Sequence, residues 1–113
     1  MWDKVLLRCK KMIEIIRGTT PTITYSFNVV NVADIRVAYL TIRQGENVVI
    51  EKTLADATID DNVISWTLSQ QETLSLGVGA SHIMINWLLQ DGTRGASNSS
   101  SMSIVKNDKN EVI

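Results

Sequence analysis

One histidine, one cysteine and a short run of aspartates are the residues of this 113-residue chain best suited to reaction chemistry. Catalysis needs groups that exchange protons or attack a reacting atom, held within hydrogen-bond reach of one another. His82 would have to be the base of any Ser-His-Asp or Cys-His arrangement. In "SHIMINW" it alternates out of phase with Ile83 and Ile85, so a strand that buries those two turns His82 to solvent. No nucleophile-elbow pattern accompanies it. Cys9, the single cysteine, can form neither an intramolecular disulfide nor a structural zinc site by itself. Asp56, Asp60 and Asp61 in "ADATIDDN" could offer oxygens to calcium, which takes about six to eight of them, but the spacing fits no calcium loop. Aspartates between strands serve more often to satisfy the backbone of turns. "GASNSSS", residues 95–101, lacks the Gly-Lys-Ser/Thr ending of a phosphate loop and reads as a solvated loop or a weakly specified edge. Arg36 and Arg43 lie apart, without the interleaved exposed aromatics that base stacking needs. No catalytic, cofactor-binding or metal-ligating residue emerges, and no cofactor is expected.

Composition bounds the remaining choices. The length fits one domain with a modest core. With 44% hydrophobic and 20% charged residues and a formal net charge of -1, neither disorder nor a nucleic-acid partner is indicated. The longest apolar runs fall far short of the ~18 residues of a membrane span. The opening "MWDKVLLRCKKMIEIIRG" has no apolar core and cleavage site of a secretory signal, so synthesis in a cytoplasm is the expectation. Lys4, Arg8, Lys10 and Lys11 make its first eleven residues basic against Asp3 alone.

The elements that would position these residues are mostly strands. Over residues 1–11, Trp2, Val5, Leu6 and Cys9 recur at helical spacing, which predicts a short amphipathic helix. The competing reading is an upstream extension to a domain that starts at Met12. From there, Ile13 and Ile15 alternate in a first strand ended by Arg17-Gly18. Ile23, Tyr25 and Phe27 alternate in a second, with Pro21 where a strand can begin without losing a ladder bond. "ADIRVAYLTIRQ" turns through Gly45–Asn47 into "VVIEKTL", a hairpin. Asp60-Asp61-Asn62 is a turn into Ile64, Trp66 and Leu68. At Ser69 the period changes: Ser69 and Glu72 form a capping box, and Gly77 and Gly79 close a helix of about two turns, with Leu74 and Leu76 inward. "SHIMINWLLQ" puts Ile83, Ile85, Trp87 and Leu89 on one face, Asp91-Gly92 makes a tight turn, and Met102 to Val105 is the last strand. Trp66 and Trp87 are expected to face each other across the core. The class is all-β: an immunoglobulin-like antiparallel β-sandwich of about seven strands with one short connecting helix. The segments are an extension over 1–11, the sandwich over 12–106 and a tail over 107–113.

The order "IIRGTTPTITYSF", "VAYLTIRQGENVVIEKTL", "TIDDNVISWTLSQQETLSL" and "LLQDGT" resembles the small β-sandwich domain at the N-terminus of phage baseplate upper proteins and related phage tail proteins. The resemblance spans about Ile13 to Val105. It is strongest where a strand with Trp, Thr and Leu runs into Ser and a short Leu-rich helix. It implies a noncatalytic virion structural protein of a phage tail or baseplate, assembled in the host cytoplasm. Its partners would be other tail or baseplate proteins and copies of itself, with neither nucleic acid nor membrane, and exposed edge strands could accept another chain. The alternative is a carbohydrate-binding sandwich for cell-surface adhesion. That needs a platform of exposed aromatics, for which only Trp2, Tyr25 and Tyr39 are available beyond the two tryptophans placed in the core.

Overall fold

Alternation of apolar and polar residues creates two sheets that can lower their exposed surface only by stacking, and this is the architecture found. The computed structural model describes residues 4–6 and 13–113, which form ten strands and one short helix. The strands are β1 (Lys4–Leu6), β2 (Ile13–Ile16), β3 (Thr22–Ser26), β4 (Ile35–Gln44), β5 (Asn47–Thr53), β6 (Thr58–Asp60), β7 (Val63–Thr67), β8 (Gly79–Leu89), β9 (Arg94–Ala96) and β10 (Ser100–Val105). One sheet runs β1-β3-β7-β6; the other runs β2-β10-β8-β4-β5, with β9 on the β10 side of β8. The order β3-β7-β6 facing β10-β8-β4-β5 is the B-E-D against G-F-C-C′ layering of an immunoglobulin-type sandwich. Seven strands match those expected, and the three additions, β1, β6 and β9, are each three residues long.

Two pairings depart from the antiparallel expectation. β2 runs parallel to β10 with Ile13 opposite Met102, and β1 runs parallel to β3 with Val5 opposite Ile23. The second corrects the helix expected over 1–11: Lys4–Leu6 is strand, because the open edge of β3 offers a hydrogen-bond ladder that an isolated short helix lacks. The remainder of that segment, with Trp2 and Cys9, lies outside the described residues. The run "GASNSSS", expected as a loop or a weakly specified edge, is an edge at its ends and irregular over 97–99. Its ends are β9 and the start of β10, and between them Ser97 exchanges bonds with Ile85, whose N–H donates to Ser97 Oγ (2.9 Å) and whose carbonyl accepts from Ser97 N (2.8 Å). Its backbone completes the edge of β8 without needing large side chains.

The core lies between the sheets. Ile23, Ile64 and Trp66 from one layer meet Ala38, Leu40, Ile42, Ile83, Ile85, Met102 and Ile104 from the other, all essentially inaccessible. Trp66 and Trp87 are on opposing sheets, but they do not form the expected facing pair. The Trp66 indole Nε1 donates to Thr53 O (2.9 Å), while Trp87 packs on Phe27 (ring centroids 5.0 Å) and Tyr25 (5.9 Å). The polar N–H of a buried indole demands a partner, which Thr53 O supplies for Trp66, whereas half-buried Trp87 is placed by its aromatic neighbours.

The helix α1 (Gln70–Leu74) joins β7 in one sheet to β8 in the other. Its capping box forms as read: Ser69 Oγ accepts from Glu72 N (3.1 Å) and Glu72 Oε1 accepts from Ser69 N (2.8 Å). Glu72 also bridges to Lys52 (3.0 Å). Leu76 is buried as expected, whereas Leu74 is only half-buried and Thr73 takes the inward place. There the Thr73 hydroxyl accepts from Gly18 N (3.0 Å) and donates to Thr19 O (2.7 Å). Arg17 clamps the far end of the helix, donating to Leu76 O and Leu74 O (2.7 Å each). Residues 107–113 fold back on this connector: Ile113 N donates to Gln70 Oε1 (2.7 Å) and Asn107 to Arg17 O (2.7 Å).

Candidate functional site

The residues of β4 and β8 that point away from the core are what the fold presents to its surroundings over its largest sheet. The register sets them in rows: Val37 opposite Leu88, Tyr39 opposite Asn86, Thr41 opposite Met84 and Arg43 opposite His82. β9 extends the rows, with Arg94 beside Leu88 and Ala96 beside Asn86. Paired Cβ atoms on one sheet face stand close enough to act as a single surface.

That surface is hollowed. A depression of about 320 Å³ is lined by Val37, Tyr39, Asn86, Trp87, Leu88 and Arg94. A second, about 210 Å³, is lined by Thr41, Arg43, His82, Met84, Asn86 and Ser99, and the two meet at Asn86. Together they form a trough with an apolar floor of Val37, Tyr39, Met84 and Leu88 and a cation toward each end. Tyr39 is 40% exposed. Arg94 donates to Asn86 Oδ1 (3.3 Å). Among the described residues Arg36 and Arg43 form no ion pair.

Among the described residues, the candidates for chemistry stand apart from one another. His82 is half-buried on β8 as its phase predicts, with Arg43 and Ser101 as its cross-strand neighbours, and it makes no hydrogen bond to a carboxylate or hydroxyl among the described residues. The three aspartates do not converge. Asp56 accepts from Thr53 N (2.9 Å) and caps a single helical turn, which holds its carboxyl below the usual range. Asp60 ends β6, and Asp61 takes the left-handed turn (φ 55°) into β7. Asp91 likewise serves its turn, accepting from Thr93 N (2.8 Å), which lowers its carboxyl. No three His, Cys, Asp or Glu side chains cluster as metal ligands among the described residues.

A third hollow, about 250 Å³, lies at one end of the sandwich between Trp87 and residues 25–30. Asn62 holds the loop there: its Nδ2 donates to Phe27 O and Val30 O (2.8 Å each) and its Oδ1 accepts from Val32 N (2.8 Å). Sequence reasoning missed the trough. Its signal was present in β4, β8 and β9, three segments that carry Arg36, Arg43, His82 and Arg94 and no acidic residue, but the strand order that joins them was not readable.

No family model matches the chain, and no curated protein matches it. Among solved structures it is similar to the N-terminal domain of phage TP901-1 ORF48, with a TM-score of 0.55 and 11% identity over 89% of this chain and 93% of that one. Looser superpositions are found with a candidate glycoside hydrolase from Bacteroides vulgatus ATCC 8482 (TM-score 0.48, 14% identity, 87% of this chain and 17% of that one) and with murine CRIg (TM-score 0.41, 8% identity, 86% and 92%). At 11% identity the likeness to the ORF48 domain is one of fold, and the fold expected from the strand order, that of the small β-sandwich at the N-terminus of a phage protein, is the fold this chain has.

Proposed function

We propose that this chain is a noncatalytic structural protein of a phage virion, an assembly module of the tail or baseplate put together in the host cytoplasm. It works through protein–protein contacts with other tail or baseplate proteins and with copies of itself. The observation that carries this reading is the likeness to the ORF48 domain, which covers 93% of that chain and so concerns a whole unit rather than a shared fragment. The trough supports it, since an apolar floor flanked by cations suits a protein surface better than a reaction. The test is composition and morphology of particles released from a host that carries the coding sequence. Peptides of this chain should be found in purified virions, and deletion should give particles with incomplete tails. Virions that lack the chain and are unaltered by its deletion would overturn the reading.

One observation favours a second reading, glycan adhesion. Tyr39 is a partly exposed ring beside Asn86 and Arg94, a stacking face with two hydrogen-bonding neighbours. Binding on a glycan array that is lost with Tyr39→Ala would support it, and a blank array would remove it.

A further inference from the structure

The charges of this molecule are segregated. β4, β8 and β9, neighbours in one sheet, carry three arginines and His82 without a carboxylate, and Glu51 of β5 reaches the rim where it accepts from the Thr41 hydroxyl (3.5 Å), whereas residues 53–62 carry three aspartates and no lysine or arginine. Within that second stretch lies β6, the end strand of the other sheet, which pairs only with β7. Its three residues are all exposed, Asp60 and Asp61 close it, and Asp56 precedes it. Ile59, at its centre, leaves 50% of its surface outside. A single exposed isoleucine is ordinary on a protein surface, but this one stands at the centre of an open edge with carboxylates on both sides, an apolar point framed by charge that a complementary surface can engage.

We propose that the β6 edge of one copy docks in the trough of the next, so that the chain associates head to tail. Ile59 meets the apolar floor of Val37, Tyr39 and Leu88, while the carboxylates flanking it meet the cations at the two ends. The dimensions agree. Arg43 lies opposite His82 and Arg94 opposite Leu88, six strand positions or roughly 20 Å apart. Asp56 and Asp61 are separated by at most roughly 18 Å of extended chain, a difference that arginine side chains span. A two-fold pairing of trough with trough is disfavoured, because it brings Arg43 and Arg94 of two copies together with Glu51 at the Thr41 rim as their nearby acid, whereas β6 brings a group of aspartates. A head-to-tail contact leaves one trough and one edge free on every pair. It therefore continues into a ring when the rotation closes and into an open filament when it does not.

The trough is about three strands wide and eight residues long, roughly 15 Å by 25 Å, well below the ~800 Å² per partner of a standard interface. The contact is accordingly of the weak, transient kind, and it strengthens through ring closure or a scaffold that holds the copies together. It deepens the assembly reading above by naming a partner and a surface, and it rests on that reading for its biological use alone.

The experiment is sedimentation velocity on the full chain, alone and as mixed variants. Wild type should show an average mass that climbs with concentration over roughly 10–500 µM and falls again when salt shortens the screening length from about 14 Å to about 4 Å. Arg43→Glu with Arg94→Glu reverses the trough's charges; Asp60→Lys with Asp61→Asn reverses the charge at one end of the edge, leaves Asp56 in its cap and keeps a residue tolerant of the left-handed turn. Each variant alone should stay monomeric, with an unchanged near-ultraviolet dichroism spectrum. Their equimolar mixture should form pairs, with the intact edge of the trough variant in the intact trough of the edge variant, and either variant mixed with limiting wild type should cap wild-type growth at short chains. Wild type that is monomeric throughout, that stops at a closed dimer, or that is unaffected by either variant overturns the contact. Those results leave incorporation into virions untouched, just as absence from virions would leave the contact standing.

Discussion

Gly95→Ala should destabilise this domain although the backbone at Gly95 is ordinary strand that alanine adopts freely. Gly95 lies opposite Trp87 in the β8–β9 pair. A Cβ at Gly95 would stand 2.4 Å from Trp87 Nε1, 2.5 Å from Cε2 and 2.7 Å from Cζ2. The indole is rigid, so it must swing as a unit, and it cannot do so alone because Phe27 and Tyr25 pack against it, themselves in edge contact at 4.8 Å. Replacing glycine by alanine in a strand gains about 0.5–1 kcal/mol from the unfolded chain, whereas overpacking costs about 1–3 kcal/mol. The net expectation is a loss of about 1–2 kcal/mol, or roughly 5–10 °C in Tm for a domain of this size. Differential scanning calorimetry with near-ultraviolet dichroism measures both the loss and the rearrangement of the aromatic trio. The same substitution in a Trp87→Leu background should cost nothing or stabilise, since the obstructing ring is gone. A Tm for Gly95→Ala at or above that of wild type would refute the reasoning, because the clash would then be relieved without consequence.

Three further outcomes follow from the same structure. Trp66→Ala should cost about 3–5 kcal/mol in urea unfolding, as it empties a fully buried site and leaves Thr53 O without its donor. Arg17→Met keeps the aliphatic stem but removes the bonds to Leu74 O and Leu76 O; a loss of about 2–3 kcal/mol is expected, with amide exchange accelerated over 70–76 and 107–113 ahead of the sheets. Burial alone would raise the Glu72 carboxyl, but the Ser69 N–H and the Lys52 ammonium outweigh it and hold it below its ordinary value. A depressed carboxylate stabilises above its unfolded pKa, and that contribution disappears as pH falls through the folded one. Glu72→Gln should therefore cost about 1 kcal/mol at pH 7, and urea curves of the two proteins should converge as pH falls below the ordinary glutamate range.

What was legible was local. Ile64-x-Trp66-x-Leu68 followed by Ser69-x-x-Glu72 announces a strand running into a capped helix, and both formed, because alternation and a capping box are satisfied within a few residues. Thr73 escaped notice since its inward position is earned by Gly18 and Thr19, more than fifty residues earlier. The run 97–101 was legible only as a loop or a weak edge: small side chains leave no periodic signal, and Ser97 is held by Ile85 while Ser100 and Ser101 pair with β8 as strand. Lys4–Leu6 shows the opposite failure, an apolar spacing that suits a helix but a backbone claimed by the edge of β3. The trough depended on two pairings at once, β4 with β8 and β8 with β9, which nothing in a single segment reports.

The parallel pair of β2 and β10 has a mechanical meaning. Ile13 lies beside Met102 and Ile16 beside Val105, so tension applied between the segment before β2 and the segment after β10 pulls the two strands in opposite directions along their own axes. Their evenly spaced cross-strand bonds are then loaded together in shear instead of being opened one by one from an end. The Arg17 N–H on Val105 O (3.1 Å) and the Asn107 amide on Arg17 O (2.7 Å) prolong the same seam past the strand. A domain tethered through those two points resists extension at its strongest line, whichever neighbour is pulling.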